Sequence, residues 1–317
     1  MALVFIHEGY SEYLEFTLRQ AHAASPASEI VLLGNAENDR FPFVTHVDIG
    51  APHYAEAAEE ATRVYRHMAT NPKAVALRWL QRWFWLRTFF HEAGLDDAWV
   101  LDSDVLLFAG EQELRARYSE GQPLALAIPQ PQEPLIWAAG PHASYWTRET
   151  VEDFCRFAER SYTEPAGLAR YEDKWAMHQR EGIPGGVCDM TTLYLFAQET
   201  PHANVLEVQE GAAVEHNLNV PHNAHPDEYA MDGAAKALDW RDGQPWGTNR
   251  QTGEAVRFLA LHLQGQAKGQ IPALYTGPAF ENQKALGDGL RRYFAARALA
   301  GRVKATAWRA VSRLRGR

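Results

Sequence analysis

Two carboxylates stand two residues apart in Asp102-Ser103-Asp104, directly after the apolar run Ala98-Trp99-Val100-Leu101. Ionised carboxylates removed from water without a partner are costly, and a divalent cation is the usual compensation. In an extended segment residues i and i+2 point to the same side, so Asp102 and Asp104 can address one ion; hard oxygen ligands suit Mn2+ or Mg2+. A solvated turn between two strands is the other meaning of so short a pattern. About 160 residues later, the apolar run Phe258–Leu263 is interrupted by His262 and followed by Gly265 and Lys268. Imidazole is a competent Mn2+ ligand, glycine permits close backbone approach, and lysine offers a point charge for a phosphate. Taken singly, each has an ordinary alternative: a core histidine, a turn, a solvated lysine.

The elements that must position these residues alternate. Leu3–Ile6 reads as a strand, His7–Ser11 as a loop, Tyr13–Ala23 as an amphipathic helix and Glu29–Leu33 as a second strand ending at Gly34-Asn35. A strand over Phe43–Asp48 and a helix from Tyr54 to Met68 follow. A second helix, Ala74–Ala93, is apolar all round and should be buried. Strands alternating with helices favour a mostly parallel sheet covered on both faces, with ligands at the carboxyl ends of its strands. The Asp pair leaves such an end. Arg82, inside the apolar helix, needs an anionic partner: a bound ligand, or an internal carboxylate such as Asp96 or Asp97.

The middle of the chain holds a second group of candidates. In Pro184-Gly185-Gly186-Val187-Cys188-Asp189, Gly186 clears space for a ligand, and Asp189 can accept hydroxyl hydrogen bonds or act as a base; Asp189 as the N-cap of the apolar helix Leu193–Ala197 is the alternative. Trp137, His142, Tyr145 and Trp146 form an aromatic segment suited to stacking on carbohydrate, or a satellite core. His216, His222, His225 and Asp227 lie in a stretch broken by two prolines, better suited to a polar loop along the ligand cleft than to a zinc site.

Composition sets outer bounds. The 317 residues are 46% hydrophobic and 22% charged, an ordinary globular make-up. A net charge of −9 argues against a body that clamps nucleic acid. Ala2–Ile6 is cut short by His7 and Glu8, so neither a signal core nor a spanning helix is expected. The two cysteines, Cys155 and Cys188, suit a reducing, cytoplasmic setting. The charge is unevenly spread: residues 291–317 carry eight Arg and one Lys with no acid, +9, against 22 basic and 40 acidic residues before them, −18. Val303, Ala307, Val311 and Leu314 follow helical spacing beside Trp308, a pattern suited to the anionic inner face of a membrane; a helix folded back on the acidic body is the alternative.

The combination of Ala98–Phe108 with His262-x-x-Gly265-x-x-Lys268 resembles the nucleotide-sugar glycosyltransferases of the GT-A fold, most closely family 8, the glycogenin and bacterial lipopolysaccharide galactosyltransferase type. The resemblance implies metal ligation by Asp102, Asp104 and His262, a diphosphate contact from Lys268, and donor contacts through Ser103 and Gly265. The family's Pro-Trp after that lysine is replaced here by Gly269-Gln270. The segment His7-Glu8-Gly9-Tyr10 is similar to the family's uracil-holding loop, with Tyr10 as the stacking ring and Glu8 as the acid. It implies an α/β, Rossmann-like GT-A domain over residues 1–275, with a donor half of about 1–125 and an acceptor half of about 126–275, followed by a helical basic extension, 276–317. The implied reaction is Mn2+-dependent, retaining transfer of a hexosyl unit from a UDP-sugar to a glycan or glycolipid hydroxyl, in bacterial cell-surface polysaccharide synthesis. Trp137, Trp146 and Gly186 would face the acceptor. A metal-dependent nucleotidyltransferase or pyrophosphohydrolase, and an inactive membrane-associated sugar-binding module, are the competing classes. For the tail, deletion of residues 304–317 is expected to abolish co-sedimentation with anionic vesicles while sparing donor hydrolysis.

Overall fold

The structure, a computed structural model, describes residues 2–315, and for 301–315 the helical backbone alone. The chain opens with β1 (Ala2–His7), α1 (Leu14–Ala24), β2 (Glu29–Gly34), β3 (Thr45–Asp48), α2 (Pro52–Val64) and α3 (Lys73–Glu92). Then come β4 (Asp97–Asp102), β5 (Val105–Leu107), α4 (Glu111–Tyr118), β6 (Leu124–Ala127), β7 (Gly140–Thr147), α5 (Arg148–Thr163), α6 (Pro165–Glu181) and α7 (Asp189–Ala197). The last third holds the short strands β8 (Ala203–Asn204), β9 (Ala212–Val214), β10 (Met231–Asp232), β11 (Ala235–Lys236) and β12 (Asp239–Arg241), then β13 (Gln244–Thr248) and β14 (Ala255–His262). A 3-10 turn over Gly265–Gln270, the short α8 (Ile271–Leu274) and the long α9 (Gln283–Arg315) complete it.

The α/β architecture expected from the alternation is the one found. The main sheet has seven strands in the order β3-β2-β1-β4-β7-β6-β8. Strands β3, β2, β1 and β4 run parallel, whereas β7 is antiparallel to both β4 and β6. Strand β1 shows why two cores form. Its pleat sends Leu3 and Phe5 into one buried cluster and Ala2 and Val4 into the other, on opposite faces of the sheet. Helix α3 lies in the second core between α2 and α5, with Leu80, Trp83, Phe84, Trp85, Leu86 and Phe90 buried, which accounts for its apolarity on every side.

Strand β5 does not continue the main sheet. It belongs to a second sheet, β12-β13-β14-β5, with β9 beside β14. Asp102-Ser103-Asp104 is therefore the crossing between sheets. Two registers aim it: Ile6 pairs with Asp102 at the parallel β1/β4 edge, and His262 pairs with Val105 in the antiparallel β14/β5 edge. The Leu263 N–H closes on the Asp104 carbonyl at 3.0 Å.

Several sequence expectations shift for physical reasons. The helix read as Tyr54–Met68 stops at Val64 because residues 68–70 pair instead with 185–187. That pairing explains Gly186. At φ 130° a β-carbon there would lie 2.4 Å from the Met68 carbonyl oxygen, so the glycine serves backbone packing, not a sugar. Helix α7 begins at Asp189 with Cys188 as N-cap, not Asp189. Trp146, expected on the acceptor side, is a core side chain: 0% exposed, against Trp83 at 4.9 Å and near Phe154 and Phe196, with its indole N–H on Ser144 Oγ at 2.9 Å. The first turns of α9 join the core through Leu290 and Phe294, and Phe294 packs onto Gly269, where a β-carbon would meet it at 2.9 Å. The stripe Val303, Ala307, Val311, Leu314 with Trp308 lies outside the described side chains. Among the described residues no helix is long and apolar enough to cross a membrane.

Trp146→Ala should cost about 3–5 kcal/mol of stability, as for other buried aromatic truncations. Urea denaturation checks this; a loss under 1 kcal/mol would contradict its core placement.

Candidate active site

Strand ends bring Asp102, Asp104 and His262 together, with one ligand atom from each lying within 4.8 Å of the others. The imidazole orientation follows from its neighbours. His262 Nδ1 lies 2.8 Å from the His216 carbonyl oxygen, which can only accept, so Nδ1 carries the proton and donates. Nε2 faces Asp104 Oδ1 at 3.6 Å, so the two can close as an ion pair or hold a cation between them. The donor set of two carboxylates and one imidazole nitrogen fits Mn2+ or Mg2+. In this structure cationic side chains supply the compensation: Lys268 Nζ donates to Asp104 Oδ2, and Arg82 Nη1 donates to Asp102 Oδ1 at 2.9 Å.

The protonation equilibria reflect this arrangement. Burial pushes the Asp102 carboxyl above the usual carboxylate range, with Asp104 adding to the effect and Arg82 opposing it. Burial would raise Asp104 as well, but His262 and Lys268 hold it below that range. Lys268 is raised despite its desolvation, through Asp104. The His7 imidazole, lowered by burial to about 4, is neutral and shares a 2.9 Å hydrogen bond with the Ser103 hydroxyl, which also lies 3.4 Å from Tyr13 OH.

A second layer fixes the histidine. His142 stacks on His262 with centroids 4.3 Å apart and planes 9° from parallel. The Glu215 and His216 carbonyl oxygens face His142 Nε2 and His262 Nδ1, and Glu215 Oε2 accepts the His262 N–H at 3.1 Å. Glu215 is itself wholly buried and ion-paired with Lys236 of β11, also wholly buried. His142 and His216 are held well below the ordinary imidazole range, first by burial and then by adjacent imidazole, so both are neutral.

Arg82 finds its anions inside the protein, though not Asp96 or Asp97, which pair with Arg148 and Arg115. It bridges Asp102 and Asp189, reaching Asp189 Oδ2 from Nε at 3.0 Å and from Nη2 at 2.5 Å. Trp83 Nε1 donates to the same oxygen at 3.2 Å, while Asp189 Oδ1 accepts the Met190 N–H at 2.9 Å. Both oxygens of this carboxylate, 3% exposed, are thus engaged in holding Arg82 and the start of α7.

A cavity of about 310 Å³ adjoins the site, and Arg82, Asp102, Asp189 and His262 line it together with Asn71, Trp79, His142 and Met190. Gly265, at φ 60°, opens the 3-10 turn that delivers Lys268. Other expected residues lie elsewhere. Glu8 pairs with Arg78 at 2.7 Å. Tyr10 lies beneath the Arg40 guanidinium at 4.1 Å and lines a separate cleft with Tyr13 and Tyr293. Trp137 packs on the core and gives its carbonyl to Lys174 at 3.0 Å, outside the cavity wall. Of the histidine-rich loop only His216 reaches the cavity. Sequence reasoning missed Trp79, Glu215 and Lys236; for Trp79 the signal was its i, i+3 spacing to Arg82.

No family model matches the chain, and no curated protein does. Solved structures resemble it in shape. An active-site mutant of LgtC has 15% identity and a TM-score of 0.44, over 92% of this chain and 96% of that one. Apo mouse xyloside xylosyltransferase 1 has 11% identity and a TM-score of 0.42, over 62% and 81%. The galactosyltransferase LgtC in complex with donor and acceptor sugar analogues has 16% and 0.37, over 62% and 70%.

Lys236→Met leaves the Glu215 carboxylate buried and unpaired and should cost about 3–5 kcal/mol. Denaturant titration measures that loss, and calorimetric titration with Mn2+ should show weaker binding in the same variant.

Proposed function

We propose that this chain is a metal-dependent glycosyltransferase that moves a hexosyl unit from a UDP-sugar to a hydroxyl of a glycan or glycolipid. The observation that carries the proposal is the convergence of Asp102, Asp104 and His262, flanked by Lys268. Three such ligands suit a divalent cation, and the ammonium beside them adds the positive charge a departing diphosphate needs.

Asp102, Asp104 and His262 would hold Mn2+ or Mg2+, whose charge offsets that developing on the diphosphate. Lys268 donates to Asp104 in this structure and, on donor binding, turns its ammonium to a phosphate oxygen. Arg82, fixed by Asp102 and Asp189, keeps a second positive charge in the cavity wall beside the cation ligands, where the transferred sugar would lie. In the transfer the bond from sugar C1 to the diphosphate oxygen breaks, a bond from the acceptor oxygen to C1 forms, and the acceptor's proton leaves with the diphosphate. Asp189 positions Arg82 in this scheme and forms no bond to the sugar, since four hydrogen bonds already engage its oxygens. Retention of anomeric configuration, an acceptor in bacterial cell-surface polysaccharide synthesis, and attachment to anionic membrane through the basic tail complete the reading.

A thermal-shift screen of UDP-, GDP-, CDP- and dTDP-sugars with and without Mn2+ tests it. A UDP-sugar with Mn2+ should raise the melting temperature; at a hundred times Kd the linkage is worth about 2.7 kcal/mol. Asp104→Ala should abolish the shift. The assignment fails if no nucleotide-sugar stabilises the protein with metal, or if the variant responds like the wild type; hydrolysis of the donor without any glycan product would favour a pyrophosphohydrolase.

A further inference from the structure

Helix α3 carries several tryptophans, and one differs from the rest. Trp83 and Trp85 are buried among other side chains, whereas Trp79 is half-buried and lines the cavity one turn before Arg82. Among the described residues its ring stacks on no other aromatic ring. The same cavity is lined by Met190 and Pro141, both offering apolar surface, and by the amides of Asn71 and Gln264. The Asn71 side chain makes no hydrogen bond among the described residues, and Gln264 uses its amide oxygen on Asn217 at 2.9 Å, leaving its NH2 to donate.

An indole face with apolar flanks and spare amides at the rim is matched to a pyranose. One face of such a ring presents axial C–H bonds to the electron-rich π surface, while equatorial hydroxyls at the edge seek amide partners. Arg82, Asp102 and Asp189, which line the same cavity, adjoin the cation seat, where a donor's sugar must lie to keep its C1–O bond at the diphosphate. We infer that Trp79 is the acceptor platform: the acceptor's terminal pyranose stacks on its indole, with Asn71 and Gln264 reading its hydroxyls. This rests on the glycosyltransferase reading and replaces Trp137 and Trp146, which lie outside the cavity, as the residues that meet the acceptor.

The full-length chain, with Mn2+ and UDP, is applied to an immobilised array of mono- and oligosaccharides, comparing wild type, Trp79→Ala and Trp79→Phe. The wild type should be captured by a subset of pyranosides, Trp79→Ala at least tenfold more weakly, and Trp79→Phe within about threefold of wild type. UDP affinity with Mn2+, measured by calorimetry, should stay within twofold in all three. In solution, the captured sugar should change the tryptophan emission of the wild type and not of Trp79→Phe, a readout that stands even if the alanine variant does not fold. The inference is overturned if no sugar is captured, if Trp79→Ala is captured like wild type, if UDP and glycan binding fall together in that variant, or if the emission change persists in Trp79→Phe. Failure of the wild type to bind UDP with Mn2+ would instead overturn the donor-site reading beneath it.

Discussion

Charge compensation around Asp104 is the constraint on which the rest of the site depends. A nearly buried carboxylate is not stable as an anion without a compensating charge. The surrounding structure keeps cationic groups within reach of it. The ammonium of Lys268 is carried on a 3-10 turn opened by a left-handed glycine and braced from behind by Phe294. Arg82 is held more firmly, by two carboxylates and within an apolar helix. The two cations therefore differ in their anchors: Lys268 meets one carboxylate and the face of Tyr13, whereas Arg82 is held between two carboxylates.

The fixed side of the site is built outward in layers. His262 presents Nε2 because its Nδ1 proton is claimed by the His216 carbonyl, its backbone by Glu215 and its ring face by His142. Glu215 can be buried there because Lys236, from a two-stranded hairpin far along the chain, neutralises it. Such a chain of dependencies preserves ligand orientation without relying on the ligand, which is what a site that binds and releases a charged donor in each cycle requires.

Much of this was legible in the sequence. An apolar run ending in D-x-D, and a histidine followed at i+3 by glycine and at i+6 by lysine, named Asp102, Asp104, His262 and Lys268, since motif chemistry and strand periodicity are local signals. The uniform apolarity of α3 likewise announced its burial. What escaped was tertiary. Trp146 and Trp79 are equally aromatic on paper; only the coverage of β7 by α5 and α7 makes one core and leaves the other facing a cavity. Gly186 looked like space for a ligand and is space for Met68 and Ala69. The Glu215–Lys236 pair joins the residue after β9 to strand β11, an apposition no periodicity reveals, and nothing local to the Asp pair shows that it is a passage between two sheets.

That passage has a mechanical meaning. Because Asp102 ends a strand of the main sheet while Asp104 and His262 belong to the border of the second, whatever binds them fastens one sheet to the other. The contact joins positions 164 residues apart, as between Asp104 and Lys268, and so closes one of the longest loops in the chain. A cation held at that seam would add a further tie between sheets already joined by the Leu263 N–H on the Asp104 carbonyl.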